Sequence, residues 1–303
     1  MWNEENPEVF GLGECNPLVG LSIDDRDDFE EELKKICENI NDFIDVESYE
    51  FPSIRFAIET AHKDLINGGK RILFDNEFSR GEKGIVINGL VWMGSKEEMS
   101  KQIADKIEQG FKCIKLKIGA IDFETELALL KSIRDQYSES DIEIRVDANG
   151  AFTAHDALKK LEHLAKFKLH SIEQPIKQGQ VEVMAKLCKV TPLAIALDEE
   201  LIIHQRKDEK EILLKEIQPQ YIILKPSIVG GWKASEEWIA SAEKLNINWW
   251  ITSALESNIG LNAIAQWTAE LKTKTPQGLG TGGLYTNNFD SKLKIIGQIL
   301  THF

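Results

Sequence analysis

The sequence predicts an α/β chain in which a closed parallel barrel follows a smaller α+β region. Two observations carry this. From residue 85 onward, short apolar runs alternate with amphipathic helical patterns, and strands joined through crossover helices pair in parallel. In addition, five successive runs end in a charged residue: CIKLKIG, IEIRVDAN, LHSIEQP, LAIALDE and YIILKPS. From Lys117 the steps to Asp147, Glu173, Asp198 and Lys225 are 30, 26, 25 and 27 residues, about one strand-plus-helix unit each.

Residues 1–80 read differently. They hold one strand-like piece, VFGLGEC, and two amphipathic stretches, 27–45 and 53–68. Pro52-Ser53 is a start signal for the second stretch and Gly68-Gly69 a stop. RGEKG, 80–84, is a turn-like linker. The barrel then begins with IVINGLVWMG and a helix over 96–109, continues with CIKLKIG and a helix over 122–137, and runs on to NINWWITSAL and a helix over 258–271. Seven such units and a short last strand near PQGLGTG make a TIM-like (β/α)7β barrel over 85–283. The tail, 284–303, is expected to pack back on the region 1–84.

Composition excludes several classes. The chain has 303 residues, 42% hydrophobic and 28% charged, and no run near the ~18 apolar residues that cross a bilayer. The acidic start, MWNEENPEVF, is no signal peptide, so a cytoplasmic location is expected. Cys15, Cys37, Cys113 and Cys188 lack the spacing of a zinc site or disulfide framework. A net charge of −14 argues against nucleic acid and anionic membranes as partners.

Strand parity places the charges together. Lys115 and Lys117 share one face, as do Arg145 and Asp147, while Leu116, Ile144 and Val146 point to the helices. The C-terminal strand ends share one mouth, so the six groups Lys115, Lys117, Asp147, Glu173, Asp198 and Lys225 ring it. Buried strand-end charges are costly unless paired or bound to a metal. Asp147, Glu173 and Asp198 supply hard oxygen donors suited to Mg2+, with Mn2+ able to substitute. A lysine that acts as a base must lose its proton, and a second ammonium about 6 Å away would favour that by roughly two pKa units. Taken singly, KLK fits a solvated pair on an edge strand, DANG a turn, and KPS nothing in particular.

The combined pattern resembles the enolase superfamily, in the muconate-lactonizing-enzyme-like subgroup with Lys-x-Lys on the second strand and Lys on the sixth. The resemblance implies an α+β capping domain over 1–84, completed by 284–303. It also implies abstraction of a proton next to a carboxylate held on Mg2+. Carried over, Lys117 is the base, Lys115 its partner near the carboxylate of a small-molecule substrate, and Lys225 the group facing the base. Asp147, Glu173 and Asp198 are the metal ligands.

ITSALESNIG on the seventh strand, with Ser253, Glu256, Ser257 and Gly260, resembles the S-x-x-E-S-x-x-G segment of the o-succinylbenzoate synthase family, dehydratases of menaquinone synthesis. GECNPL, 13–18, and PSIRFAIETA, 52–61, resemble that family's capping domain. Asn149, Ser253 and Glu256 are therefore expected at the mouth as substrate-binding residues. The alternative within the subgroup is an N-acyl amino acid racemase or dipeptide epimerase. Dipeptide epimerases bring an Asp-x-Asp near this barrel end, and none is present here. No histidine ends a barrel strand, against a mandelate-racemase-like site. Capping domains of the family open with two further strands; this chain begins about ten residues before what resembles the third, so those strands are expected to be missing.

Gly278, Gly280 and Gly283 fit G-x-G-x-x-G in form only, because LYTNNFD rather than a helix and βαβ unit follows. A tight loop that closes the last strand is expected instead.

Overall fold

A computed structural model describes residues 1–44 and 50–303. Residue 45, the end of the predicted stretch 27–45, lies outside the described residues.

Seven parallel strands form one curled sheet: β4 (Gly89–Val91), β5 (Cys113–Lys117), β6 (Glu143–Asp147), β7 (Ser171–Glu173), β8 (Ile195–Leu197), β9 (Tyr221–Leu224) and β10 (Asn248–Ile251). The remaining strands are β1 (Trp2–Asn3), β2 (Asn6–Phe10), β3 (Ile85–Val86), β11 (Leu293–Ile296) and β12 (Ile299–His302). Two residues close the barrel. Gln277 bridges Ile87 on one edge and Gly278 bridges Thr252 on the other, both in parallel. Gln277 N–H donates to Val86 O and Asn88 N–H to Gln277 O, while Gly278 N–H donates to Ile251 O and Ser253 N–H to Gly278 O. Gly is required at 278, where a Cβ would lie 2.1 Å from Thr252 Oγ1. The last strand expected near PQGLGTG is thus an eighth stave two residues long.

The helices are α1 (Phe29–Glu38), α2 (Ile40–Phe43), α3 (Pro52–Ile66), α4 (Lys96–Glu108), α5 (Phe123–Arg134), α6 (Ala157–Ala165), α7 (Val181–Val190), α8 (Lys207–Ile217), α9 (Pro226–Val229), α10 (Gly231–Lys244) and α11 (Asn258–Glu270). Local chemistry sets several starts. Ser95 and Glu98 form a capping box on α4, Asp122 accepts from Thr125 N–H on α5, and Pro52 occupies the first turn of α3. Side chains such as Ile114, Leu116, Ile144, Val146, Ile172 and Leu197 fill the layer between staves and helices. Ala196, Ile223 and Trp250 fill the barrel interior, where the Arg145 guanidinium lies 4.4 Å from the Trp250 ring centroid. The parity read from the sequence therefore holds on β6.

Two strand expectations differ from the structure. IVINGLVWMG is not one strand. Ile85–Val86 pairs antiparallel with β12 in a three-stranded sheet with β11, and the chain changes partner at Ile87–Asn88 before entering the barrel as β4. VFGLGEC is strand only as far as Phe10, in a hairpin of β1 and β2. Beyond it the backbone lies on α3: a Cβ at Gly11 would sit 1.9 Å from Ala61 O, and one at Gly13 1.9 Å from Ala57 O. A chain docked that closely on a helix has no room for a ladder partner. A small core of Ile36, Phe51, Ile54 and Ile58 joins α1 to α3, and α3 rests on α9 and α10.

Candidate active site

The six charges ring the C-terminal mouth. Lys117 stands beside Asp147 in the ladder, and Asp147 beside Glu173. Asp198 follows β8 and Lys225 follows β9. Counting β4 as the first stave, Lys117 ends the second and Lys225 the sixth, on diametrically opposite walls of an eight-stave barrel. The carboxylates end the third, fourth and fifth staves, between them.

Each of the six is bonded to at least one other, in two groups: Lys115 and Lys117 with Asp147 and Glu173, and Lys225 with Asp198. Lys115 Nζ lies 2.8 Å from Asp147 Oδ2 and 2.5 Å from Glu173 Oε2. Lys117 Nζ donates to Asp147 Oδ2 at 2.6 Å and to Asn149 Oδ1 at 2.8 Å. Lys225 Nζ donates to Asp198 Oδ2. Burial drags the Lys115 ammonium down, but Asp147 and Glu173 outweigh it and hold its pKa above the ordinary lysine value. At Lys115 the nearby carboxylates dominate. Lys225 is raised in the same way, with burial opposed by Asp198 and Glu199. Burial works against ionised Asp147, yet Lys115 and Lys117 keep its carboxyl well below the usual range. Glu173 goes the other way, pushed up by burial and by Asp147.

The donor set suits a divalent cation. Three hard carboxylates come from adjacent staves, and Glu173 Oε1 is buried with no hydrogen-bond partner. Among the described residues no three acidic, His or Cys groups close into a cage as the side chains stand, since lysine ammonium groups sit on the carboxylate oxygens.

Asn149 is exposed in the turn after β6, at φ 43°, a left-handed conformation that Asn tolerates better than most residues. Its N–H donates to Asp147 Oδ1 at 3.0 Å and its Nδ2 to Glu199 Oε1 at 2.8 Å. Ser253 and Glu256 also lie at this end of the barrel, but both are buried. Ser253 Oγ bonds Thr281 Oγ1. Glu256 is fully buried, accepts from Ser227 Oγ and from Ala254 N–H, and burial pushes its carboxyl up to about 7.

Sequence reasoning missed three further groups. Glu199 is buried, raised by burial and by Asp198, and its Oε2 has no partner; the DEE run was its only signal. Gln174 is fully buried at φ 37° and ties the Glu173 and Asp198 loops, accepting from the N–H of Asp198 and of Glu200 and donating to Glu200 Oε2 at 3.1 Å. Glu14 accepts from Ser257 N–H at 2.7 Å, Ser257 Oγ at 2.6 Å and Gly260 N–H at 2.8 Å, while Asn16 Nδ2 donates to Ala254 O. These bonds fix the segment after β2 over the start of α11. Glu14 lies in the GECNPL piece, but its role was not legible there, because its partners are more than 240 residues away.

A parallel barrel whose mouth carries lysines on opposite walls and three carboxylates between them is the arrangement by which the sequence resembles the enolase superfamily. Residues 98–295 match the family described as Enolase C-terminal domain-like, and the chain belongs to the enolase superfamily. It is 46% identical to an o-succinylbenzoate synthase, a lyase, from Desulfotalea psychrophila, over 96% of this chain and 88% of that protein. The crystal structure of MenC from Desulfotalea psychrophila superposes with a TM-score of 0.86 at 45% identity, over 96% of this chain and 90% of that one. A hydrophobic dipeptide epimerase from Enterococcus faecalis is 27% identical over 94% of this chain and 80% of its own length. The chain is thus an enzyme with high similarity to a dehydratase. No helix among the described residues is long and apolar enough to cross a membrane.

Proposed function

We propose that this chain is a cytoplasmic, Mg2+-dependent dehydratase that converts 2-succinyl-6-hydroxy-2,4-cyclohexadiene-1-carboxylate to o-succinylbenzoate in menaquinone biosynthesis. The observation that carries the reading is the pair of lysines on opposite walls with three carboxylates between them, in a chain 46% identical to an o-succinylbenzoate synthase.

Asp147, Glu173 and Asp198 would hold the cation, whose charge stabilises the substrate carboxylate as electron density builds on it. Lys117 takes the proton from the carbon next to that carboxylate. The C–O bond to the ring hydroxyl then breaks, and the Lys117 ammonium returns the proton to the departing oxygen, so that water leaves. Proton and hydroxyl depart from one face, so one residue serves as base and then as acid. Lys225, on the other wall, acts by its fixed charge, stabilising the anionic intermediate and lying against the forming aromatic ring.

Racemisation or epimerisation of an N-acyl amino acid or dipeptide is the second reading, favoured by the same opposed lysines. There both lysines must exchange protons, one on each face. Lys225→Arg keeps charge but is a poor base. We expect it to retain measurable dehydration and to abolish racemisation, whereas Lys117→Ala should lose about 10²–10⁴-fold in dehydration. Steady-state assays of both substrates decide: near wild-type dehydration by Lys117→Ala would overturn the mechanism, and racemisation without dehydration by the wild type would favour the second reading.

A further inference from the structure

A groove of about 250 Å3, lined by none of the six ring charges, lies between the loop after α3, α11 and the tail before β11. Lys70, Arg71 and Lys292 line it, against one carboxylate, Asp290. In a chain of net charge −14, a concave site lined by three cations runs against the surrounding field. Lys70 and Lys292 are exposed, and among the described residues neither stands in an ion pair. His302 is also in the lining, where burial and Lys292 push its pKa down and so disfavour it as a further cation.

Arg71 is exposed as well, but its backbone and one guanidinium donor are held in place. It holds φ 59°, a left-handed conformation strained for a long side chain. Its N–H donates to Asp64 Oδ1 at 2.6 Å, and its carbonyl accepts from Asn262 Nδ2 and Gln266 Nε2, each at 2.9 Å. Its Nη1 donates to the Asp290 carbonyl at 2.7 Å. The backbone is therefore over-determined from three directions, and one guanidinium donor fixes the side chain at the groove. A preorganised guanidinium flanked by two ammonium groups is the arrangement that takes up a multiply charged oxyanion.

We propose that this groove binds a small anion of the phosphate class, held by Arg71, Lys70 and Lys292. Three cations carried by two separate chain segments suit a tetrahedral dianion or a pyrophosphate better than a planar monocarboxylate. The site is distinct from the barrel mouth and does not depend on which reaction the mouth performs.

The test is calorimetry on the metal-free protein at constant ionic strength, with inorganic phosphate, inorganic pyrophosphate and succinate as probes. Pyrophosphate is expected to bind more tightly than phosphate, and succinate weakly. The exposed double variant Lys70→Gln/Lys292→Gln should weaken pyrophosphate binding about tenfold or more while the fold is retained. Lys225→Met should leave it unchanged, which separates the groove from the mouth. The proposal fails if no binding is seen up to about 10 mM, if the double variant binds as the wild type does, if Lys225→Met abolishes binding, or if succinate matches pyrophosphate.

Discussion

At the scale of single residues, Glu256 shows how a buried carboxyl makes stability depend on pH. With burial raising its pKa to about 7, the folded state holds this proton more tightly than the unfolded chain. The resulting stabilisation is fully present below the unfolded value, about 4.5, and is lost as pH rises through about 7. The shift corresponds to about 3 kcal/mol. Glu256→Gln removes the titration, so the wild-type advantage over this variant should fall steadily between about pH 5 and pH 8 in urea unfolding midpoints. A constant difference across that range would show that Glu256 does not titrate there. Ser253 and Glu256 also mark a limit of residue-level reading. Their position after the seventh barrel strand places them at the correct end of the barrel, but position does not reveal that Ser227, Ala254 and Thr281 enclose them.

At the scale of elements, the join between the segment after β2 and α11 rests on one carboxylate. Glu14 accepts three bonds at the N-terminus of α11, where the helix dipole also favours negative charge. Glu14→Ala should cost about 2–4 kcal/mol in urea unfolding, because it also leaves Ser257 and Gly260 N–H groups without acceptors. A loss below about 0.5 kcal/mol would mean that water replaces the clamp. The strands from β5 to β9 were legible because strand-end charges repeat in every unit, and β10 because NINWWI is a short apolar run before a helical pattern. The helices α4, α5 and α11 were legible to within a few residues because their caps and stops are local. The split of 85–91 between two sheets was not, since both halves are equally apolar and the partners, β12 and Gln277, lie about 190 or more residues on. The failure of VFGLGEC as a strand has the same origin: Gly11 and Gly13 serve a helix that begins at Pro52.

At the scale of the whole molecule, cation binding and folding should be linked. A ligand that binds only the folded chain stabilises it by about 2.7 kcal/mol at a hundred times its Kd. Mg2+ should accordingly raise the melting temperature by a few degrees, and Asp198→Asn should lose most of that rise along with calorimetric Mg2+ affinity. An equal rise and affinity in the variant would remove Asp198 from the ligand set. The ring of charges was legible from the sequence because each member ends a unit of similar length, but its internal pairing of lysine to carboxylate was not, since that depends on side-chain reach. The two-residue stave at Gln277 and Gly278 has a further consequence, for how the chain is made. Synthesis runs from the N-terminus, so the seven-stranded sheet emerges with both margins unpaired, at Ile87 and at Thr252. Until residues 277 and 278 are free to fold, the nascent protein is an open sheet presenting two sticky edges. The interval between emergence of β10 and of Gly278 is thus when aggregation competes most strongly with folding, and any chain ending before residue 277 would stay in that state.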